Sequence, residues 1–138
     1  MNFSDINYLA VAASALAAFA LGALWYSPVL FSKVWQKEVG LSEDDFKNAN
    51  MAKTFGGSFV MMLIMSFGMA LLVQGHGDQS VGAIAGLYHG LFVGIFFVGT
   101  SMAINMLYEN KSMKLWLINA FYQIIFLGIM GLILGAWH

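Results

Sequence analysis

Four long stretches without a single charged residue dominate the sequence. They run from about residue 6 to 26, 55 to 73, 81 to 107 and 115 to 137. A bilayer core about 30 Å thick requires about 20 apolar residues at a helical rise of about 1.5 Å each. A charge at the centre of such a stretch would cost about 2.5–3.5 kcal/mol on insertion scales. The sequence therefore predicts four transmembrane helices.

The composition excludes several other classes of protein. Hydrophobic residues make up 60% of the chain and charged residues 9%, whereas about a quarter of a soluble domain is charged. Six Lys against seven acidic residues give a net charge of −1, which offers no basic face for nucleic acid. The absence of Cys excludes disulfides, a thiolate nucleophile and Cys-based metal sites. We predict an all-α fold, an integral membrane four-helix bundle that forms a single domain over residues 1–138.

The distribution of lysines predicts the orientation. All of them lie in two loops, between the first and second stretches and between the third and fourth: Lys33, Lys37, Lys47, Lys53, Lys111 and Lys114. Loops rich in Lys face the cytoplasm. We therefore predict that the chain lies in the cell (inner) membrane with both termini outside the cytoplasm. Residues 1–25 are interpreted as a retained helix rather than a signal peptide, because their only charged side chain is Asp5.

The long loop after the first stretch contains its own helical pattern. Apolar Leu30, Phe31, Val34 and Trp35 recur at helical spacing, with lysines between them. This pattern is typical of a short amphipathic helix in the inner headgroup layer, and equally of a connector packed under the bundle. Further along, Ser42 precedes three acidic residues, which predicts a capped helix start from which the helix continues into the second stretch.

Small residues recur on the predicted spans where helices could approach closely. Because lipid tails are as apolar as Leu, membrane helices associate through such surfaces. The sequence therefore predicts packing seams, of which at least one is expected to form a self-association interface, with a dimer as the first expectation. The seams are Gly82, Gly86, Gly90 and Gly94 on the third span, Gly128, Gly131 and Gly135 on the fourth, and Ser14, Ala18 and Gly22 on the first.

Few polar residues lie inside the spans, and they are the candidate ligand-binding residues. Asn119, Tyr122 and Gln123 stand on one face of the fourth span, at a depth similar to that of Asn105 on the third. A buried amide without a partner is costly, so Asn119 is expected to bond with Asn105. No catalytic residue is predicted among them.

His89 is a further candidate ligand-binding residue, at a different depth, about two turns from the outer end of the third span. Its neutral imidazole could bond a neighbouring carbonyl and serve no other purpose. Alternatively, His76 and His138 could join it as metal or haem ligands, although the three residues lack the spacing of a metal motif. We therefore predict no metal site and no cofactor.

Short motifs spread along the chain carry a resemblance to a known family. They are Leu24-Trp25-Tyr26-Ser27-Pro28, then Phe31 and Trp35, Asn50-Met51-Ala52, His89-Gly90, Asn105, Tyr108-Glu109, Lys111-Ser112, Leu117-Ile118-Asn119-Ala120, Tyr122, Met130-Gly131 and Trp137. Together they resemble the small bacterial and fungal membrane proteins catalogued as domain of unknown function 1761. The resemblance covers nearly the whole chain. It implies a four-helix membrane fold and no established activity.

The apolar spans and their few polar residues suggest three functions. The favoured one is a bundle that binds or transports a lipid or small apolar ligand in the bilayer. The alternative is a structural or assembly subunit that acts through oligomerisation. A His-dependent membrane redox enzyme is the weakest hypothesis, because the spans contain no carboxylate partner for His89. Whether the protein is an enzyme stays open, with a non-enzyme favoured.

Overall fold

The computed structural model describes residues 2–75 and 81–138, which form helices and no strand. The helices are α1 (Tyr8–Trp25), α2 (Ser32–Val39), α3 (Glu43–Asn48), α4 (Met51–Val73), α5 (Ala83–Val93), α6 (Thr100–Tyr108) and α7 (Met113–Ala136). A 3-10 turn (Phe3–Asp5) precedes α1, and a π-helical segment (Gly94–Gly99) joins α5 to α6.

Four helical units are long and apolar enough to cross a membrane. They are α1, α4, α7 and the continuous unit Ala83–Tyr108, which comprises α5, the π segment and α6 and is called span three below. The predicted all-α class with four candidate membrane spans is confirmed. The chain is compatible with a multi-pass membrane protein.

Helix α7 occupies the centre of the bundle. It packs against α1, α4 and span three, whereas span three packs mainly against α7. Half of the most apolar window of α7 is buried, against 17% of the corresponding window of span three. The most deeply buried large side chains come from α7 and α4: Phe126, Leu127, Met130, Leu134 and Val73.

The bundle has two chemically distinct ends. The lysine end holds residues 26–50 and 109–112, including α2 and α3, and the side chain of Ser112 there bonds to Glu38. The terminal end holds residues 2–7, 74–75, 81–82 and 137–138, where the Asn7 side chain bonds to the Trp137 carbonyl. The two chain termini therefore lie at the same end, as an even number of spans requires.

Helix α3 begins where the acidic segment predicts and ends sooner than expected. Ser42 and Asp45 form a reciprocal capping box, and hydrogen bonds from the Ser42 backbone and then its side chain lower the pKa of Asp45. The predicted continuous helix into the second span is wrong. Ala49 has an extended backbone, and the Asn50 side chain accepts a hydrogen bond from the Lys53 amide, which starts α4 as a separate helix.

The glycine seams of α5 and α7 face each other inside one copy of the chain. A β-carbon added at Gly86 would contact the Gly131 carbonyl oxygen, and one added at Gly135 would lie 2.6 Å from the Gly82 carbonyl oxygen. The seam of α1 is also internal, because Ser14 and Ala18 are fully buried. All three predicted seams are thus used within the protomer. Self-association stays a prediction, and it needs a different surface.

The π segment is a feature that the sequence did not predict. A π turn leaves carbonyls of the helix without their usual amide partners, and such groups need others in a membrane. The Thr100 hydroxyl donates to the Phe96 carbonyl oxygen at 2.7 Å. The Trp116 indole nitrogen donates to the Gly99 carbonyl oxygen at 2.9 Å. These side chains stabilise the π turn, and Trp116 also attaches it to α7.

One buried glutamine joins three helices at the terminal end. Gln74 is 3% exposed, and its Nε2 donates to the carbonyls of Leu134 at 2.8 Å and Trp137 at 3.0 Å. Its Oε1 accepts from the Asn7 amide at 2.8 Å. Gln74 therefore connects the end of α4 to the start of α1 and the end of α7.

Candidate functional site

Aromatic side chains from four helices and one loop meet at the lysine end. Neighbouring ring centroids in six of these contacts lie 4.8 to 6.3 Å apart, a distance at which tilted and edge-on aromatic pairs attract. The aromatic cluster consists of Trp25, Tyr26, Phe31, Trp35, Phe46, Tyr122 and Phe126. It connects α2 and α3 to the bundle of long helices.

Three hydrogen bonds hold the end of α1 against α7 within this cluster. The Trp25 indole donates to the Ile118 carbonyl oxygen at 3.0 Å, and the Tyr26 hydroxyl donates to Asn119 Oδ1 at 2.7 Å. The Tyr122 hydroxyl donates to the Ala18 carbonyl oxygen at 2.9 Å. Gly22 makes room for Tyr122, since a β-carbon there would lie 2.6 Å from its hydroxyl oxygen.

A second attachment connects α2 to the loop before α7. The Ser112 hydroxyl donates to Glu38 Oε2 at 2.6 Å and accepts a hydrogen bond from the Leu115 amide at 3.1 Å. One side chain thus caps α7 and binds α2. The position of α2 beneath the bundle is fixed from both sides, by Trp35 in the aromatic cluster and by Glu38.

An apolar groove opens on the outer side of the cluster. It has a volume of about 170 Å³ and no polar lining surface, and it opens to the surroundings of the bundle rather than being enclosed. The residues of this groove, called the Trp25 groove below, are Trp25, Phe31, Leu117, Ile118 and Phe121. Its walls come from the end of α1, the α1–α2 loop and one face of α7.

Comparison with known proteins identifies a family for the chain. Residues 9–135 match the family described as "Protein of unknown function (DUF1761)". The chain belongs to this family. No curated protein and no solved structure matches it. The resemblance expected from the sequence motifs is confirmed.

The motif residues of this DUF1761 chain gather largely around the lysine end. Trp25 and Tyr26 bond to α7, Trp35 packs on Tyr26, and Ser112 bonds to α2. The motifs that carry the family resemblance therefore include the residues that attach the amphipathic segment to the bundle.

Of the predicted ligand-binding residues, Tyr122 belongs to the aromatic cluster and Asn119 contacts it. The Asn119 side chain accepts a hydrogen bond from Tyr26 and does not bond to Asn105 as expected. Gln123 has a buried Oε1 without a hydrogen-bond partner in the described part of the chain. Asn105 is exposed on α6. The sequence could not identify Tyr26 as the partner, because that pairing depends on how α1 packs against α7.

His89 lies apart from the lysine end, on α5. Its side chain is exposed, and its Nδ1 is 2.7 Å from the Ala85 carbonyl oxygen. His138 Nδ1 bonds to the Gly135 carbonyl oxygen at 3.0 Å, and His76 falls outside the described residues. Within residues 2–75 and 81–138, no group of three His, Asp or Glu side chains could hold a metal ion.

The structure also identifies contributors that the motif analysis did not place in a site. Leu117, Ile118 and Phe121 line the Trp25 groove, although their pattern in the sequence is that of any apolar helix. Gln74 falls between the predicted second and third spans and is a buried connector. Its only sequence signal is its position, one residue beyond the apolar stretch that ends at residue 73.

Proposed function

We propose that the protein binds an anionic phospholipid in the leaflet at its lysine end. One acyl chain would occupy the Trp25 groove, and the headgroup would lie beside Lys33 and Lys114. The observation that carries the proposal is the open apolar groove on the bundle surface, lined by Trp25, Phe31, Leu117, Ile118 and Phe121. A groove of this polarity and volume accommodates part of a hydrocarbon chain, and its opening allows entry from the bilayer.

The position of Lys114 supports an anionic headgroup. Lys114 lies in the first turn of α7, and at helical spacing it shares a face with Leu117 and Phe121, three and seven residues later. Lys33, which is exposed on α2, follows the groove residue Phe31 by two positions. A charged boundary directly beside an apolar groove matches the order of headgroup and acyl chain in a phospholipid.

The proposal concerns binding rather than transport. The glycine seam offers no passage for a ligand, because the backbone of α7 fills it: a β-carbon at Gly90 would contact the Leu127 carbonyl oxygen. Binding at the outer surface of the bundle needs no such passage.

Lipid retention in nanodiscs of phosphatidylglycerol and phosphatidylcholine tests the proposal. Native mass spectrometry after mild detergent release should find phosphatidylglycerol enriched on the wild type. Leu117→Trp, which fills the groove, should remove the bound lipid. Lys114→Gln should lower phosphatidylglycerol affinity about fivefold, since one lysine near an anionic surface is worth about 1 kcal/mol.

Lys53→Gln is the matched control, because Lys53 lies on α4, which does not line the groove. It should retain lipid as the wild type does. Equal retention of both lipids by the wild type, or full retention by Leu117→Trp, would contradict the proposal.

We further propose that the lysine end faces the cytoplasm of the inner membrane and that both termini lie outside it. The support is the six lysines, which all lie at one end of the bundle, between α1 and α4 or between span three and α7 or in the first turn of α4 or α7. Because the chain contains no Cys, Lys47→Cys and His138→Cys each provide a single thiol. On intact cells, an impermeant thiol reagent should label position 138 and leave position 47 unlabelled. The reverse pattern would overturn the orientation.

A further inference from the structure

The outward face of span three carries polar side chains where a membrane helix would normally meet lipid. Its glycine side packs on α7, whereas side chains on its other faces are exposed: Tyr88, His89 and Phe92 on α5 and Ile104 and Asn105 on α6. Ionisable residues within transmembrane helices almost always face protein or a water-filled cavity. We therefore expect the exposed side of span three to contact another protein surface in the membrane.

The hydrogen bonding of His89 defines what that partner must supply. Since the Ala85 carbonyl can only accept, the 2.7 Å contact with Nδ1 makes Nδ1–H the donor. In the tautomer with the proton on Nδ1, Nε2 is an acceptor, and residues 2–75 and 81–138 supply no donor to it. The missing group is a hydrogen-bond donor at the depth of His89.

A second copy of the chain supplies such a donor at that depth. Tyr88 is adjacent to His89 and is 66% exposed. Each residue of a helix is rotated by about 100° from the one before it, so Ala85 and Phe92 fall within about 20° of each other around α5. Tyr88 lies about 60° to one side of Ala85, and His89 lies about 40° to the other side. Tyr88 and His89 thus flank a seam that runs through Ala85 and Phe92.

Two copies inserted with the same orientation are related by an axis along the membrane normal. Twofold symmetry then places each residue on one flank of the seam opposite the residue on the other flank of the partner. Tyr88 would face the partner's His89, and His89 would face the partner's Tyr88. One symmetric arrangement therefore pairs the donor of each copy, the Tyr88 hydroxyl, with the acceptor of the other, His89 Nε2.

We propose that the protein forms a parallel homodimer through the outward face of span three, with Ala85 and Phe92 at the seam. The Tyr88 hydroxyl of each copy donates to Nε2 of the partner's His89. The interface thus lies on a different face of α5 from the glycine ladder, which is used inside the protomer.

Cysteine crosslinking in native membranes tests the interface. Ala85→Cys, the single thiol of its chain, should form a disulfide-linked dimer on oxidation, because residues at a seam approach within disulfide range. Ala20→Cys is the matched control, an exposed alanine within α1, and should remain monomeric. Absence of crosslinking at position 85, or equal crosslinking at position 20, would overturn the proposal, as would a crosslinked product whose mass is not twice 15.1 kDa.

The hydrogen bonds are tested separately from the surface. Tyr88→Phe keeps the ring and removes both donors from the dimer, and should weaken dimerisation in liposomes about tenfold, measured by energy transfer between labelled copies. His89→Leu should weaken it to a similar degree, and the double variant should be no weaker than either single one. Additive losses would show that the two side chains do not bond to each other.

Discussion

Gly90→Ala is expected to destabilise the protein severely, although alanine is the better helix former. A β-carbon at Gly90 would contact the Leu127 carbonyl oxygen, and would lie 2.6 Å from the carbonyl carbon of that residue and 2.9 Å from Gly128 Cα. These are backbone atoms of α7, so α5 can admit the methyl group only by moving away. Overpacking of this kind costs about 1–3 kcal/mol, and a loss of about 3 kcal/mol is expected because no side chain can yield. Thermal unfolding in detergent measures it.

Gly68→Ala provides the matched control for that loss. Gly68 lies within α4, and a β-carbon there would have no neighbouring atom within 4 Å in the described structure. The change should leave stability unchanged or raise it by up to about 1 kcal/mol, since glycine is the weaker helix former. Equal stability of Gly90→Ala and Gly68→Ala would show that α5 and α7 do not approach as closely as described.

Gln74→Met is expected to loosen the terminal end of the bundle. The change keeps the length of the side chain and removes its hydrogen bonds to the Asn7 amide and to the Leu134 and Trp137 carbonyls. Leaving a buried donor or acceptor unpaired costs about 1–3 kcal/mol. The free energy of unfolding in detergent should therefore fall by about 2–3 kcal/mol, and amide hydrogen exchange should increase at the start of α1 and the end of α7.

Gln123→Met separates the effect of those bonds from that of a buried amide in general. Gln123 Oε1 is buried without a partner in the part of the chain described, so its replacement removes an unsatisfied acceptor. We expect stability to be retained or increased. A loss at position 123 as large as that at position 74 would mean that the hydrogen bonds of Gln74 contribute little.

The sequence predicted the four spans because lipid imposes a simple condition on each of them separately. Every span must be apolar and about 20 residues long, and this can be read locally. The α3 capping box could also be read locally, from Ser42 and Asp45. The predicted continuation of α3 into the second span is wrong for an equally local reason: Asn50 caps the start of a new helix, α4.

The candidate site was only partly predictable. The polar residues of α7 were identified, and Tyr122 does belong to the aromatic cluster, which Asn119 contacts. Their partners at the end of α1 were not identified, because a hydrogen bond between residues about 100 positions apart depends on the relative rotation of two helices. The expected Asn105–Asn119 pair failed for this reason, since similar depth in two spans does not place two side chains face to face.

The sequence by itself determined the class of the protein: an all-helical chain with four apolar spans, its lysines confined to two loops and small residues lining potential seams. Only the tertiary structure decided which surfaces those seams serve. It placed α7 at the centre, closed the glycine ladder against it and left the Tyr88–His89 side of span three exposed. The physical reason is that hydrophobicity is a property of each helix, whereas close packing is a property of pairs. Because the faces of a span that meet lipid and those that meet protein are both largely apolar, the pattern of hydrophobic residues does not reveal which face meets a neighbour.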